Sequence, residues 1–168
     1  MLVGKGKMDH TDTQLLTLLQ QDAKISQADL AHAVGLSIPG VHKRIKRLET
    51  SGVLKATVTH LDRIVLGLDL LCFIAVTFKT NNNPDNQANL RLVTAQLPEV
   101  LECYWVTGSS DALLKVVVRD HQALGAFLKR LAGTQDVIDK VQTSIVLEEL
   151  KETHELPLEN LVHTSSEL

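Results

Sequence analysis

Aromatic residues are nearly missing from this chain: three Phe, one Tyr and one Trp make up 3% of 168 residues. Any core must therefore be assembled from Leu, Val, Ile and Ala, and the stacked aromatic platforms that hold single-stranded nucleic acid are not expected. Cysteine is as sparse. Cys72 and Cys103 lie inside apolar β-like runs without CxxC spacing, so they read as small core residues of a reduced protein rather than as a disulfide, zinc or redox pair. No apolar run approaches the length of a membrane span. The opening MLVGKGK lacks the apolar stretch of a signal peptide, and residues 1–8 read as a disordered lead-in. The expected compartment is the cytoplasm, with no membrane partner.

Catalytic signatures are missing too. Seven histidines, at positions 10, 32, 42, 60, 121, 154 and 163, follow no ligand spacing. No Ser/His/Asp set, glycine-rich phosphate loop or carboxylate pair stands out. The expectation is no catalytic residue, no metal and no cofactor.

The net charge of −3 hides a split. Residues 1–60 hold eight Lys/Arg against five Asp/Glu, a net of +3, and residues 61–168 hold nine against fifteen, a net of −6. Such an asymmetry suggests a DNA-contacting module attached to an acidic partner.

What is present is concentrated between Ser26 and Glu49, SQADLAHAVGLSIPGVHKRIKRLE. Ser26 with Asp29 three residues on is a capping-box-like helix start. Gly35 stands where a first helix must stop, because glycine enters a left-handed turn cheaply. Ser37 is a good N-cap for the next helix, and Pro39 is tolerated in a first turn. At roughly 100° per residue, Ile38, Val41, Ile45 and Leu48 share the inward side of that second helix. Pro39, Lys43, Lys46, Arg47 and Thr50 lie opposite with Gly40 beside them, and His42 and Arg44 flank them. This is a helix-turn-helix, whose second helix normally lies in the DNA major groove. The candidate DNA-contacting residues are Ser37, Pro39, Gly40, His42, Lys43, Arg44, Lys46 and Arg47, with cations able to neutralise phosphates on both groove walls. Asp9 or Thr11 can cap a preceding helix to about Gln21, making a three-helix headpiece over 9–55.

Residues 56–69 read as a hinge or linker strand, and from residue 70 the period changes. LLCFIAVTF (70–78), VLECYWVT (100–107), ALLKVVV (112–118) and roughly 140–147 read as strands. Helical patterns follow the polar NNNPDN (81–86) and Asp120. The expected fold class is α+β: an N-terminal three-helix helix-turn-helix (winged-helix-like) domain and a C-terminal ferredoxin-like βαββαβ domain over 70–150. Both faces of the strands offer apolar side chains, so a second subunit is the expected cover. Residues 151–168 read as a loosely held tail.

Together these parts resemble the Lrp/AsnC family of transcription regulators. The resemblance covers about residues 8 to 157 and rests on MDHTDTQLLTLLQQDAKISQADLAHAVGLS, VHKRIKRLETSGVL, LPEVLECYWVTGSSDALLKVVV and VQTSIVLEELKETHELPL. It implies double-stranded DNA as partner, a homo-oligomer (a dimer that assembles further into an octamer), and a small-molecule effector, an amino acid or related metabolite. The effector residues it carries over are Gly108 and Asp111 of the Gly-x-x-Asp turn, with Thr143 and Ser144 of the last strand. Turn N–H groups and hydroxyls can hold a carboxylate, and Asp111 an ammonium group. The small Ser109, Ser110 and Ala112 depart from the family's bulkier turn. Two rivals share the architecture: a siroheme-decarboxylase-like enzyme, and an architectural DNA-compacting protein that has no effector.

Overall fold

The computed structural model describes residues 8–80, 84–133 and 137–158. The lead-in, except Met8, lies outside them, as do residues 81–83 of the polar turn and the closing HTSSEL. The chain divides into two compact units, one within Met1–Thr59 and Lys151–Leu168, the other within His60–Leu150.

The headpiece is built on helix caps. Helix α1 (His10–Gln21) opens on a reciprocal capping box: the Asp12 N–H donates to Asp9 Oδ1 at 2.8 Å, and the Asp9 N–H to Asp12 Oδ2 at 3.1 Å. Helix α2 (Gln27–Val34) begins at Ser26, whose Oγ accepts from the Asp29 N–H and donates to its carboxylate. It ends at Gly35, where φ is +66°, so a Cβ there would be strained despite open space around it. Helix α3 (Ile38–Thr50) is capped by Ser37. Leu15, Leu30, Ala31 and Val41 close the core between the three helices. Ile38 departs from the helical-wheel expectation and is 49% exposed. It is the first residue of α3, where the chain has not yet reached the other two helices.

Two further expectations change. No strand forms in the hinge or linker expected over 56–69; the Val53 and Leu54 N–H groups donate back to the Leu48 carbonyl and the chain then runs irregularly to the turn at 63–67. The β-branched residues there have no ladder partner among the described residues, and a lone strand is not stable. The described part of the tail is also not loose. Gln20 and Leu156 exchange two hydrogen bonds, Leu156 N–H to Oε1 at 2.8 Å and Nε2 to the Leu156 carbonyl at 3.3 Å. Leu158 is buried with Leu16 and Leu48, packed by Met8 and Leu54. Averaged composition made the segment look polar, whereas one buried leucine, Leu158, and two backbone hydrogen bonds at Leu156 decide its packing.

The second unit runs β1 (Leu70–Phe78), α4 (Pro84–Thr94), β2 (Val100–Trp105), β3 (Ala112–Val118), α5 (His121–Gly133) and β4 (Ile138–Ile145). Its sheet is antiparallel in the order β2-β3-β1-β4, the ferredoxin-like arrangement. Period-two alternation sends Cys72, Ile74, Val76 and Phe78 of β1, with Ala112, Leu114 and Val116 of β3, to one face. There they meet Leu90 of α4 and Leu124, Phe127 and Leu131 of α5. The opposite face includes half-exposed Tyr104 and Phe73. Residues 62–68 form a closed turn rather than a free linker. Asp62 Oδ1 accepts from the Ile64 and Val65 N–H groups, and Arg63 donates to the Leu68 and Asp69 carbonyls and pairs with Glu149.

Candidate nucleic-acid interface and effector turn

The first site is the exposed side of α3. Ser37 Oγ accepts from the Gly40 N–H at 3.3 Å, and a Cβ at residue 40 would itself lie 3.3 Å from that oxygen. Gly40 therefore lets the cap close tightly. His42 lies beside the turn, its Nδ1 3.3 Å from Gln27 Nε2 of α2. Lys43, Lys46, Arg47, Thr50 and Ser51 line an open depression of about 400 Å³. Among the described residues, Lys43 and Lys46 enter no ion pair.

The four cations are not equivalent. Arg44 Nη1 lies 2.6 Å from Asp9 Oδ2 and 2.8 Å from Asp12 Oδ1, and Arg47 Nη2 pairs with Asp12 Oδ2. Asp12 is fully buried, whereas the Arg47 side chain is 56% exposed. Burial pushes the Asp9 carboxyl up. The Arg44 hydrogen bond, the Asp12 N–H and the attraction of both arginines outweigh burial and leave Asp9 below its ordinary value. Arg44 is raised in turn, first by its bonds to Asp9 and Asp12. Two of the cations grouped by sequence as phosphate ligands thus also tie α3 to the start of α1. Of the carboxylates that bind them, Asp9 was legible as a helix cap and Asp12 was not singled out, because nothing local says that position 12 meets positions 44 and 47.

The second site is the turn between β2 and β3. Gly108 has φ of +120°, a region that side chains rarely adopt. Asp111 is pinned on three counts: its N–H donates to the Val76 carbonyl, its carbonyl accepts from Val106, and its Oδ2 accepts from the Phe78 N–H at 2.8 Å. Its carboxylate therefore closes the β3 side of the β1 ladder at Phe78. Trp105 stacks on Phe78 with ring centroids 5.7 Å apart, placing an aromatic wall on the strand leading into the turn. The sequence pattern around the turn does not reveal this pair, because Phe78 lies on a different strand. The signal was the chain's single Trp at the end of a strand.

Thr143 and Ser144 do not join that turn within one chain. Thr143 pairs with Ile74 and Ser144 with Phe73, so their side chains take opposite faces of the sheet. The turn abuts the Phe78 end of β1, where β4 begins at Ile138. At about 3.3 Å per residue, Thr143 is roughly 16 Å further along β4.

Residues 8–55 match the winged helix-turn-helix DNA-binding family, and residues 71–156 match the Lrp/AsnC ligand binding domain. A winged helix-turn-helix headpiece followed by a domain of the Lrp/AsnC ligand binding kind defines a transcription regulator. The chain belongs to the Lrp/AsnC family of transcription regulators. It is 37% identical over 154 residues to the Escherichia coli K12 DNA-binding transcriptional activator DecR, covering 90% of this chain and 99% of that protein. It is 33% identical to the HTH-type transcriptional regulator FL11 of Pyrococcus horikoshii, over 90% and 97% of the two chains. Its fold is similar to that of the Neisseria meningitidis transcriptional regulator NMB0573 in complex with L-Met. That likeness has a TM-score of 0.86 and 30% identity, and it covers 92% and 99% of the two chains.

Proposed function

We propose that this regulator acts as a cytoplasmic homo-oligomer, at least a dimer, that reads a double-stranded operator with α3 and responds to an amino acid at the Gly108–Asp111 turn. The DNA reading is carried by one observation: Lys43, Lys46 and Arg47 surround an open, basic depression on a helix whose other side is locked into the headpiece. Ser37, Pro39, Gly40 and His42 form the leading end of that helix, which enters the groove first in helix-turn-helix docking. The direct test is footprinting of purified protein on genomic DNA, with and without added amino acids. Protection of a reproducible sequence supports the reading, and uniform coverage favours a compacting protein.

The effector reading rests on the rigid turn, the adjoining Phe78–Trp105 wall and the methionine held by the Neisseria relative. Gly108 and Asp111 of one subunit, with Thr143 or Ser144 of a neighbour, would grip the ammonium and carboxylate ends. Small residues at 109 and 110 leave room for a large or apolar side chain, whereas Ala112 is buried in the sheet's own core. Against an enzyme of the siroheme-decarboxylase kind, Lys43 and Lys46 enter no ion pair among the described residues, and their place on the exposed side of α3 suits a phosphate backbone. An absorbance spectrum of purified protein showing a bound tetrapyrrole would overturn this choice.

A further inference from the structure

Asp12 is the most buried charged group of the headpiece, and its carboxylate is fully committed. Oδ1 takes Arg44 at 2.8 Å; Oδ2 takes both Arg47 and the Asp9 N–H of the capping box. The helix start thus fixes where this carboxylate sits, independently of DNA. Arg47 meets it with one guanidinium nitrogen while its side chain stays 56% exposed on the depression it shares with Lys43 and Lys46. A guanidinium is a planar fork of five N–H donors, so anchoring one nitrogen aims the others. Without that anchor, repulsion from Lys43 and Lys46 would drive the long side chain away from the depression.

We infer that Asp12 is a positioning residue for DNA binding: it holds Arg47 by one end so that the rest of the fork is presented to a backbone phosphate. Asp12 never touches DNA. Its effect passes through Arg47, and the inference rests on the reading of α3 as the DNA-contacting helix. Arg44, which is 27% exposed and held by two carboxylates, serves the same frame without facing the phosphate. The cation content of α3 therefore overstates its phosphate contacts.

Phosphate contacts are independent of base sequence, so the probe is a fluorescein-labelled duplex of random sequence. Anisotropy titrations at several salt concentrations, on the full chain, give the salt slope for the parent, Arg47→Gln, Asp12→Asn and the double variant. Each single variant is expected to flatten the slope by about 0.9 per headpiece and to weaken binding about eightfold per headpiece at 0.1 M salt. The double variant should lose no more than either single one. A parent slope in Arg47→Gln would overturn the phosphate contact itself. A flattened slope in Arg47→Gln with a parent slope in Asp12→Asn would overturn only the positioning role, leaving Asp12 as a structural group whose loss lowers the melting temperature. Should Asp12→Asn fail to fold, Asp12→Glu keeps the charge and moves the carboxylate by one methylene. It is expected to flatten the slope in part, and a parent slope there also overturns the inference.

Discussion

Arg44 and Lys43 are neighbours in sequence with opposite expected phenotypes. Lys43→Ala removes a cation that has no ion-pair partner among the described residues; it should leave the melting temperature unchanged and flatten the salt dependence of DNA binding by about 0.9 per headpiece. Arg44→Ala leaves an oxygen of buried Asp12 without its partner. That should cost about 3 kcal/mol, the low end for breaking a buried pair, because Arg44 is itself a quarter exposed. Thermal denaturation and anisotropy on the two variants separate the roles. Acid should act on this frame and on the Glu99–Arg130 pair of the sheet unit. Asp9 and Glu99 are both depressed below their ordinary values of 3.8 and 4.5, despite burial, by Arg44 and Arg130 respectively. A depressed carboxyl stabilises the fold above its unfolded value, and that contribution is lost as pH falls through the folded one. Stability should thus hold from neutrality to about pH 5 and decline below about pH 4 in a pH series of melting curves.

The segment 151–158 behaves as a fourth element of the headpiece. Leu158→Ala removes a side chain packed on Leu16 and Leu48 and should cost about 2–3 kcal/mol in chemical denaturation. A chain ending at Leu150 should lose DNA binding as well, since Leu48 belongs to α3; parent-like binding by that truncation would show that the tail is dispensable. Sequence pattern was a good guide to elements and a poor one to this kind of partnership. The caps at Asp9, Ser26 and Ser37, the stop at Gly35 and strands β1 and β3 are all local signals, and each lies where its residue type predicts. What escaped was non-local: Leu158 against Leu16, Asp12 between two arginines, and Trp105 against Phe78. In each case the deciding partner lies far along the chain or on another element, where periodicity carries no information.

At the scale of the whole molecule, the aromatic poverty of the chain becomes a convenience. Trp105 is its only tryptophan and stacks beside the candidate effector turn, so intrinsic fluorescence reports on that place alone. Titration with the twenty amino acids should shift the emission for the true effector and raise the melting temperature, by roughly 2.7 kcal/mol of stabilisation at a hundredfold excess over the dissociation constant. Asp111→Asn keeps an acceptor for the Phe78 N–H but removes the charge, and should abolish both responses while leaving the fold intact. If no amino acid changes either signal, the turn is only a turn. The half-exposed Phe73 and Tyr104 on the uncovered sheet face call for a second copy of the chain. Light scattering should give at least a dimer at micromolar concentration, and two headpieces should protect half-sites about one helical turn, or a multiple of it, apart.

The strap at Leu158 also sets a timetable. Ribosomes deliver chains from the N-terminus, and residues 60–150 are made between the first helices and the leucine that completes their packing. During that interval α3 exists as a cationic segment with one wall of its support missing. The contact that finishes the reading head spans more than a hundred residues of sequence, so its closure is slow compared with helix formation. Competence to bind DNA is therefore expected only after residues 60–150 have been synthesised. Nascent chains arrested so that residue 150 has left the ribosome, but Leu158 has not, should be more open to protease in α3 than chains released in full.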